Sequence, residues 1–318
     1  MSDILSNPPA GVSVHPVAGR IGAEIRGIRL APDLPEATRA FIRAAWLKYK
    51  VVFFRGQDHL DDARQEALVT LFGDQAVPHP TARIKDGTAY VLELDSRHGG
   101  RANSWHTDVT FVDAYPQASI LRGVVIPEAG GDTVWANTHT AYTDLSPELR
   151  ELVDRLWAVH SNEYDYAARK PEADAESLRR YHEVFTSTVY ETEHPVVHVH
   201  PETGERHLLL GHFVKRLVGL PTSDGQHLFN LLQSHVTRLE NTVRWRWQPG
   251  DVAVWDNRAT QHYAVDDYGQ AHRVVRRVTV DGSVPVATDG RRSRTLSKAV
   301  RNTGAANEGS ASREAAAA

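Results

Sequence analysis

Short alternating strands, tight glycine-bearing turns and a few interspersed helices predict a mainly β protein with peripheral helices, built as a double-sheet jelly roll. Two observations carry that expectation. The run Val243-Arg244-Trp245-Arg246-Trp247 alternates strictly, which sets its tryptophans on one face and its arginines on the other. Gly130-Gly131-Asp132 and Pro249-Gly250-Asp251 punctuate strand-like runs as turns, and no regular βαβ spacing appears between them.

In chain order, residues 1–11 are expected to be loose and flexible, and Val12 to Leu30 then reads as short strands broken by Gly19, Gly22 and Gly27. From Pro35 a helix carries Phe41, Ala44, Ala45 and Leu47 on one stripe and feeds the buried strand Val51-Val52-Phe53-Phe54. Leu60 to Phe72 reads as a second helix ended at Gly73, and Thr88 to Asp95 as a strand. Ser104 to Phe111, Ser119 to Ile126 and Thr133 to Ala136 are further strands, with mostly local antiparallel pairing expected. Ser146 caps a helix whose first residue is Pro147. Residues 161–190 are polar and poorly periodic, either a cover over a site or a surface loop with a helix. A hairpin around Pro201-Glu202-Thr203-Gly204, a helix over Ser223 to Leu239, and strands at Val243, Val252 and Arg273–Val280 complete the fold. One domain is expected over 12–285. Residues 286–318, poor in large apolar side chains, are expected to be a disordered tail.

The 318 residues are 41% hydrophobic, enough for a substantial core, and the formal charge of −4 comes from interspersed acids and bases. Nucleic acid is therefore an unexpected partner. No cysteine is present, which removes disulfides, zinc thiolates, iron–sulfur clusters and a thiol nucleophile together. Neither a basic, apolar leader nor a run of roughly 18 apolar residues is found, so a cytoplasmic protein without a membrane partner is expected. A homo-oligomer is compatible with all of this.

A transition metal in this chain must use His, Asp and Glu. His106 and Asp108 stand two apart in a strand-like run and share a face, and a buried carboxylate there needs a cation. His262, just past a buried-looking strand, is the preferred third ligand, although His194, His198, His200, His207 and His212 compete for that role. Two histidines and one carboxylate are the facial triad of non-haem Fe(II) oxygenases. Arg273 and Arg277 also share a face, roughly 13 Å apart along the strand. Solvated, they are an ordinary charged ladder; turned inward, two permanent guanidinium charges need carboxylate or sulfate partners.

Taken together, Trp105-His106-Thr107-Asp108-Val109-Thr110-Phe111, Gly130-Gly131-Asp132-Thr133, Arg244-Trp245-Arg246-Trp247-Gln248-Pro249, Trp255-Asp256-Asn257-Arg258 with Gln261-His262, and His272-Arg273 with Arg277 resemble the Fe(II)- and 2-oxoglutarate-dependent taurine dioxygenase family. The likeness runs from about residue 12 to 285 and implies a double-stranded β-helix. It implies His106, Asp108 and His262 as Fe(II) ligands, with 2-oxoglutarate and O₂ as cosubstrates. It implies Arg273, assisted by Thr133, on the distal carboxylate of 2-oxoglutarate. It further implies Arg277, His79 and the Val109 amide as the cradle of a sulfonate or sulfate, with Phe111 against the organic part.

Where taurine enzymes of the family place an Asn and a Tyr on the substrate amine, this chain has Ala102 and Ala82, which argues against an aminosulfonate. Wording such as His194-Pro195-Val196-Val197 and Trp135-Ala136-Asn137-Thr138 is most similar to the alkyl sulfatase branch, which implies a small anionic alkyl sulfate hydroxylated at the carbon bearing the ester. Taurine, another sulfonate or an aryloxyalkanoate is the alternative substrate class. A metal-binding jelly roll that senses an anion without catalysis is the alternative of a different kind.

Overall fold

An eight-stranded sheet forms the larger face of the molecule; in the computed structural model, residues 2–82, 84–97, 102–163 and 188–300 are described. Its order is Ser13–Pro16, Ala23–Arg26, Val51–Phe54, Val252–Asp256, Ala118–Val125, Val274–Val280 and Ala76–Val77, with Leu92–Asp95 also pairing Val274–Val280. Only the pairing of Ala23–Arg26 with Val51–Phe54 is parallel among the described strands. The expectation of mostly local pairing is corrected here. Ala118–Val125 lies between two strands from the far end of the chain, because jelly-roll closure needs strands distant in sequence.

Alternation along these strands separates two apolar layers. Val52, Phe54, Ile120, Val252, Val254, Val278 and Val280 face outward onto Phe41, Ile42, Ala45 and Trp46 of the Glu36–Tyr49 helix. Val51, Phe53, Leu121, Ala253, Trp255 and Val275 face inward and meet Trp135, Val243 and Trp245 of a three-stranded sheet formed by Thr242–Trp245, Thr133–Asn137 and Thr260–Ala264. Phe53 stacks on Trp245 at 4.1 Å, and Trp135 touches Trp255 at 5.7 Å. Each such ring contributes on the order of 2–3 kcal/mol by burial, so this inner layer holds the two sheets together. A four-stranded sheet (Val214–Leu217, Trp157–Ser161, Thr188–Pro195, Arg294–Val300) and the Val197–Val199, Arg206–Leu208 hairpin complete the roll.

Several expectations hold with shifted bounds. The second helix is one α turn, Asp62–Ala67, capped by Asp61 through the Arg64 amide, and continues as a 3₁₀ turn over Leu68–Leu71. Only Leu92–Asp95 of the expected 88–95 strand is extended. Ser146 and Pro147 start the Pro147–Val153 helix as expected, and Thr222–Val236 matches the 223–239 helix. The expectation at both termini is corrected for the described residues, and residues 301–318 of the expected tail lie outside them. Ser2–Ser6 is helical, with Leu5 packed on the outer apolar layer, and the expected tail contains strands at Val286–Ala287 and Arg294–Val300. Backbone pairing with Val197–Val199 and Thr188–Pro195 orders these polar segments, and edge pairing asks for no apolar pattern. Most of the 161–190 insertion, residues 164–187, lies outside the described residues.

Candidate active site

His106 and His262 face each other across an isolated antiparallel bridge, exchanging backbone hydrogen bonds of 3.1 and 2.8 Å, and their rings lie 4.0 Å apart. Immediately after His106 the chain turns. That turn brings Asp108 back beside both imidazoles, with Oδ1 3.7 Å from His106 Nε2 and 3.9 Å from His262 Nε2. The expected strand over Ser104–Phe111 is therefore a bridge followed by a turn, and shared strand alternation is not what unites the two side chains.

All three are buried, and their donor atoms lie within 4.8 Å of one another. Burial pushes Asp108 upward, but Arg277 foremost, then both histidines and the Ser119 hydroxyl, holds it below the usual carboxylate range. Burial also lowers His106 and lowers His262 well below its ordinary value, which keeps both rings neutral. Neutral imidazoles beside an ionised carboxylate are the donor set that a divalent transition metal takes. His106 adds a second sign of fit, because its Nδ1 donates to the Ser104 carbonyl at 2.8 Å and so leaves the Nε2 lone pair facing the group. Ser119 donates to Asp108 Oδ2 at 2.8 Å, and the Arg277 guanidinium pairs with Oδ1. Asn257 clamps the backbone at that residue, accepting from Asp108 N at 2.8 Å and donating to Asp108 O at 3.0 Å.

Val109 has φ of 60°, a left-handed conformation that costs a β-branched residue about 1–3 kcal/mol. Among the described residues its N–H meets no acceptor. Phe111, fully buried, packs against Phe213 at 5.1 Å and Tyr190 at 5.8 Å, with the His79 ring 6.4 Å away edge-on. His79 Nδ1 accepts from the Ala82 amide at 2.9 Å, which places its proton on Nε2. Burial first, and the nearby Arg277 charge next, hold His79 below its ordinary value.

Arg273 and Arg277 both turn inward, while Arg276 between them faces out to Glu93 and Asp62. Arg273 is 7% exposed, donates through Nε to Gly131 O at 3.0 Å, and has Tyr268 at 6.0 Å. It lines a cavity of about 40 Å³ with Ser96, Ala102, Ala264 and Tyr268. No carboxylate pairs with it among the described residues. Thr133 is buried on a strand of the three-stranded sheet, two residues after Gly131, and its hydroxyl accepts from Trp247 Nε1 at 3.0 Å. Gly131, at φ 71°, has no room for a side chain: a Cβ there would sit 2.9 Å from Arg273 Cδ.

Four of the five competing histidines are engaged elsewhere, and the fifth, His212, packs its ring against Phe213 at 5.5 Å. His198 bonds the Arg258 carbonyl, His200 pairs with Asp256 at 2.9 Å, His207 meets Thr138, and His194 lies between Ser293 and Thr110. A second group of donors, His139, Glu205 and His207, converges beneath the hairpin, but the buried ammonium of Lys50 already neutralises Glu205. Sequence reasoning assigned no role to Ser119 or Asn257. Asn257 stands in the quoted Trp255-Asp256-Asn257-Arg258 motif, whereas Ser119 carries no local signal because its partner is reached only across the folded sheet.

Residues 13–279 match the family described as "Taurine catabolism dioxygenase TauD, TfdA family". The chain belongs to this family. Among its TauD/TfdA relatives, an alpha-ketoglutarate-dependent sulfate ester dioxygenase of Pseudomonas putida is 67% identical over 287 residues, 90% of this chain and 95% of that one. An alkylsulfatase of Acinetobacter baylyi is 59% identical over 295 residues, 93% of each chain. The crystal structure of a taurine dioxygenase from Burkholderia xenovorans superposes with a TM-score of 0.77 at 40% identity, covering 90% of this chain and 95% of that one. The jelly roll expected from strand pattern is the fold of this TauD/TfdA chain.

Proposed function

We propose that this protein is an Fe(II)- and 2-oxoglutarate-dependent dioxygenase that cleaves alkyl sulfate esters oxidatively. Substrate, 2-oxoglutarate and O₂ give aldehyde, inorganic sulfate, succinate and CO₂. The observation that carries this reading is the convergence of the buried donors His106, Asp108 and His262, with the buried Arg277 guanidinium on Asp108 and the buried Arg273 four residues before it. The identities of 67% and 59% to proteins named for sulfate esters support the substrate class.

In this assignment His106, Asp108 and His262 hold the metal, with Ser119 fixing the Asp108 carboxylate and Asn257 its backbone. Bound iron, with 2-oxoglutarate and O₂, supplies the oxidising equivalents that hydroxylate the carbon next to the sulfate oxygen. Arg273 holds the distal carboxylate of 2-oxoglutarate, assisted by the hydroxyl of Thr133 from the three-stranded sheet. Arg277, His79 and the Val109 N–H bind the sulfate group; all three are donors, which suits an anion that stays charged throughout. Phe111 lies against the alkyl part and excludes water. The hydroxylated carbon then collapses to an aldehyde as sulfate leaves, its charge held by Arg277 and His79.

Ala82 and Ala102 present no polar side chain to a substrate amine, so taurine is the poorer substrate. Succinate formation with a medium-chain alkyl sulfate, taurine and a phenoxy acid tests the choice. The alkyl sulfate is expected to exceed the others by at least tenfold in kcat/KM. A preference for taurine or the phenoxy acid would sink the sulfate-ester reading.

A further inference from the structure

The turn at Val109 is held from outside by a chain of buried side chains that ends in the C-terminal segment. Thr192 donates through Oγ1 to the Phe111 carbonyl at 2.8 Å, and His160 Nδ1 meets the Thr110 hydroxyl at 2.9 Å. His194 Nε2 reaches the Thr110 carbonyl at 2.7 Å, and its Nδ1 reaches the Ser293 hydroxyl at 2.6 Å. A carbonyl only accepts, so the His194 proton is on Nε2 and the Ser293 hydroxyl donates to Nδ1. Burial keeps this ring neutral, its pKa pushed down to about 4. Ser293 in turn stands just before the strand Arg294–Val300, which pairs with Thr188–Pro195 so that Thr295 lies opposite Thr192 and Arg294 opposite Glu193. This strand lies beyond residues 13–279, the part that matches the family.

We propose that the segment Val286–Val300 is a brace for the substrate site, acting through Ser293 and His194 to hold the left-handed Val109 turn and its anion-binding amide in place. Ser293, His194 and Thr192 are positioning residues, because none of them touches the metal-ligating atoms. A backbone conformation that valine resists persists only when its surroundings over-determine it, and Asn257 on one side and this chain of contacts on the other do so. The proposal rests on the sulfate-ester reading for its effect on substrate, and on geometry alone for its effect on the turn.

The test uses the full-length iron-loaded enzyme with Ser293→Ala, Thr192→Val, His194→Leu and His194→Gln; the glutamine amide keeps a donor for the Thr110 carbonyl. Hydrogen exchange of the peptide spanning 109–112 is read alongside KM for hexyl sulfate and Kd for 2-oxoglutarate. Exchange at 109–112 is expected to rise at least tenfold in His194→Leu and several-fold in Ser293→Ala and Thr192→Val, with His194→Gln close to the parent. KM for hexyl sulfate is expected to rise in the same order while Kd for 2-oxoglutarate stays within twofold. Unchanged exchange at 109–112 in His194→Leu and Ser293→Ala overturns the brace, as does equal weakening of 2-oxoglutarate. Faster exchange with unchanged KM for hexyl sulfate supports the brace and overturns instead the placement of sulfate at Val109.

Discussion

Val109 combines a left-handed backbone with the anion-binding role proposed for its amide. Replacing it by glycine removes the left-handed penalty and also removes buried methyl groups; alanine removes the methyl groups and keeps the penalty. Thermal melts should therefore find Val109→Gly at least as stable as Val109→Ala, the reverse of the order in ordinary extended backbone. Asn257 acts on the same turn from the metal side. Asn257→Ala frees the Asp108 backbone without touching a ligand atom, and Fe(II) affinity should fall by roughly 10–100-fold with the fold retained. Parent-like affinity in a metal titration would show that the clamp is dispensable. Arg277→Ala removes both the partner of Asp108 and the assigned sulfate donor, so alkyl sulfate binding should weaken by at least tenfold while 2-oxoglutarate binding persists.

At the level of elements, the proposed metal ligands depend on a close approach of three segments. Gly211, at φ 100°, lies against the bridge, and a Cβ there would sit 3.0 Å from Trp105 O and 3.2 Å from His106 Cα. Gly211→Ala should therefore cost about 1–3 kcal/mol and loosen the metal, read as parallel losses in melting temperature and iron content. The triad itself was legible in sequence because His-X-Asp and a distant His are a recognisable donor set. The geometry that unites it was not. Val109-Thr110-Phe111 has strong β propensity and reads as strand, yet Asn257, Thr192 and His194 hold it as a turn through partners more than 80 residues away. Arg294–Val300 was invisible for a different reason. Its order comes from backbone pairing at a sheet edge, and nothing in a polar sequence announces that.

For the whole molecule, the buried histidines set the response to acid. Burial lowers His160 and His198 well below their ordinary value and pushes His194 and His207 to about 4. Between that range and 6.5 the unfolded chain binds more protons than the native one, so stability rises with pH there and is lost as pH falls below about 6.5. The lowered carboxylates Asp108, Asp256 and Glu205 act at lower pH, below their ordinary values of 3.8 to 4.5. The melting temperature should therefore drop on the order of 10 °C between pH 7 and pH 5, and a flat profile over that window would contradict the neutral assignment. The alternation that builds the apolar layers was readable, whereas the strand partners and the polar interior were not, because His160, His194, His198 and His207 find their partners in residues distant in sequence.

In the proposed reaction sulfate leaves because the adjacent carbon is oxidised, and sulfate and succinate quantified together with hexyl sulfate as substrate test this. Equimolar sulfate and succinate are expected, neither formed without Fe(II), 2-oxoglutarate or O₂, and neither formed by Asp108→Ala. Sulfate released without 2-oxoglutarate, or undiminished in Asp108→Ala, would mean hydrolysis and would contradict it.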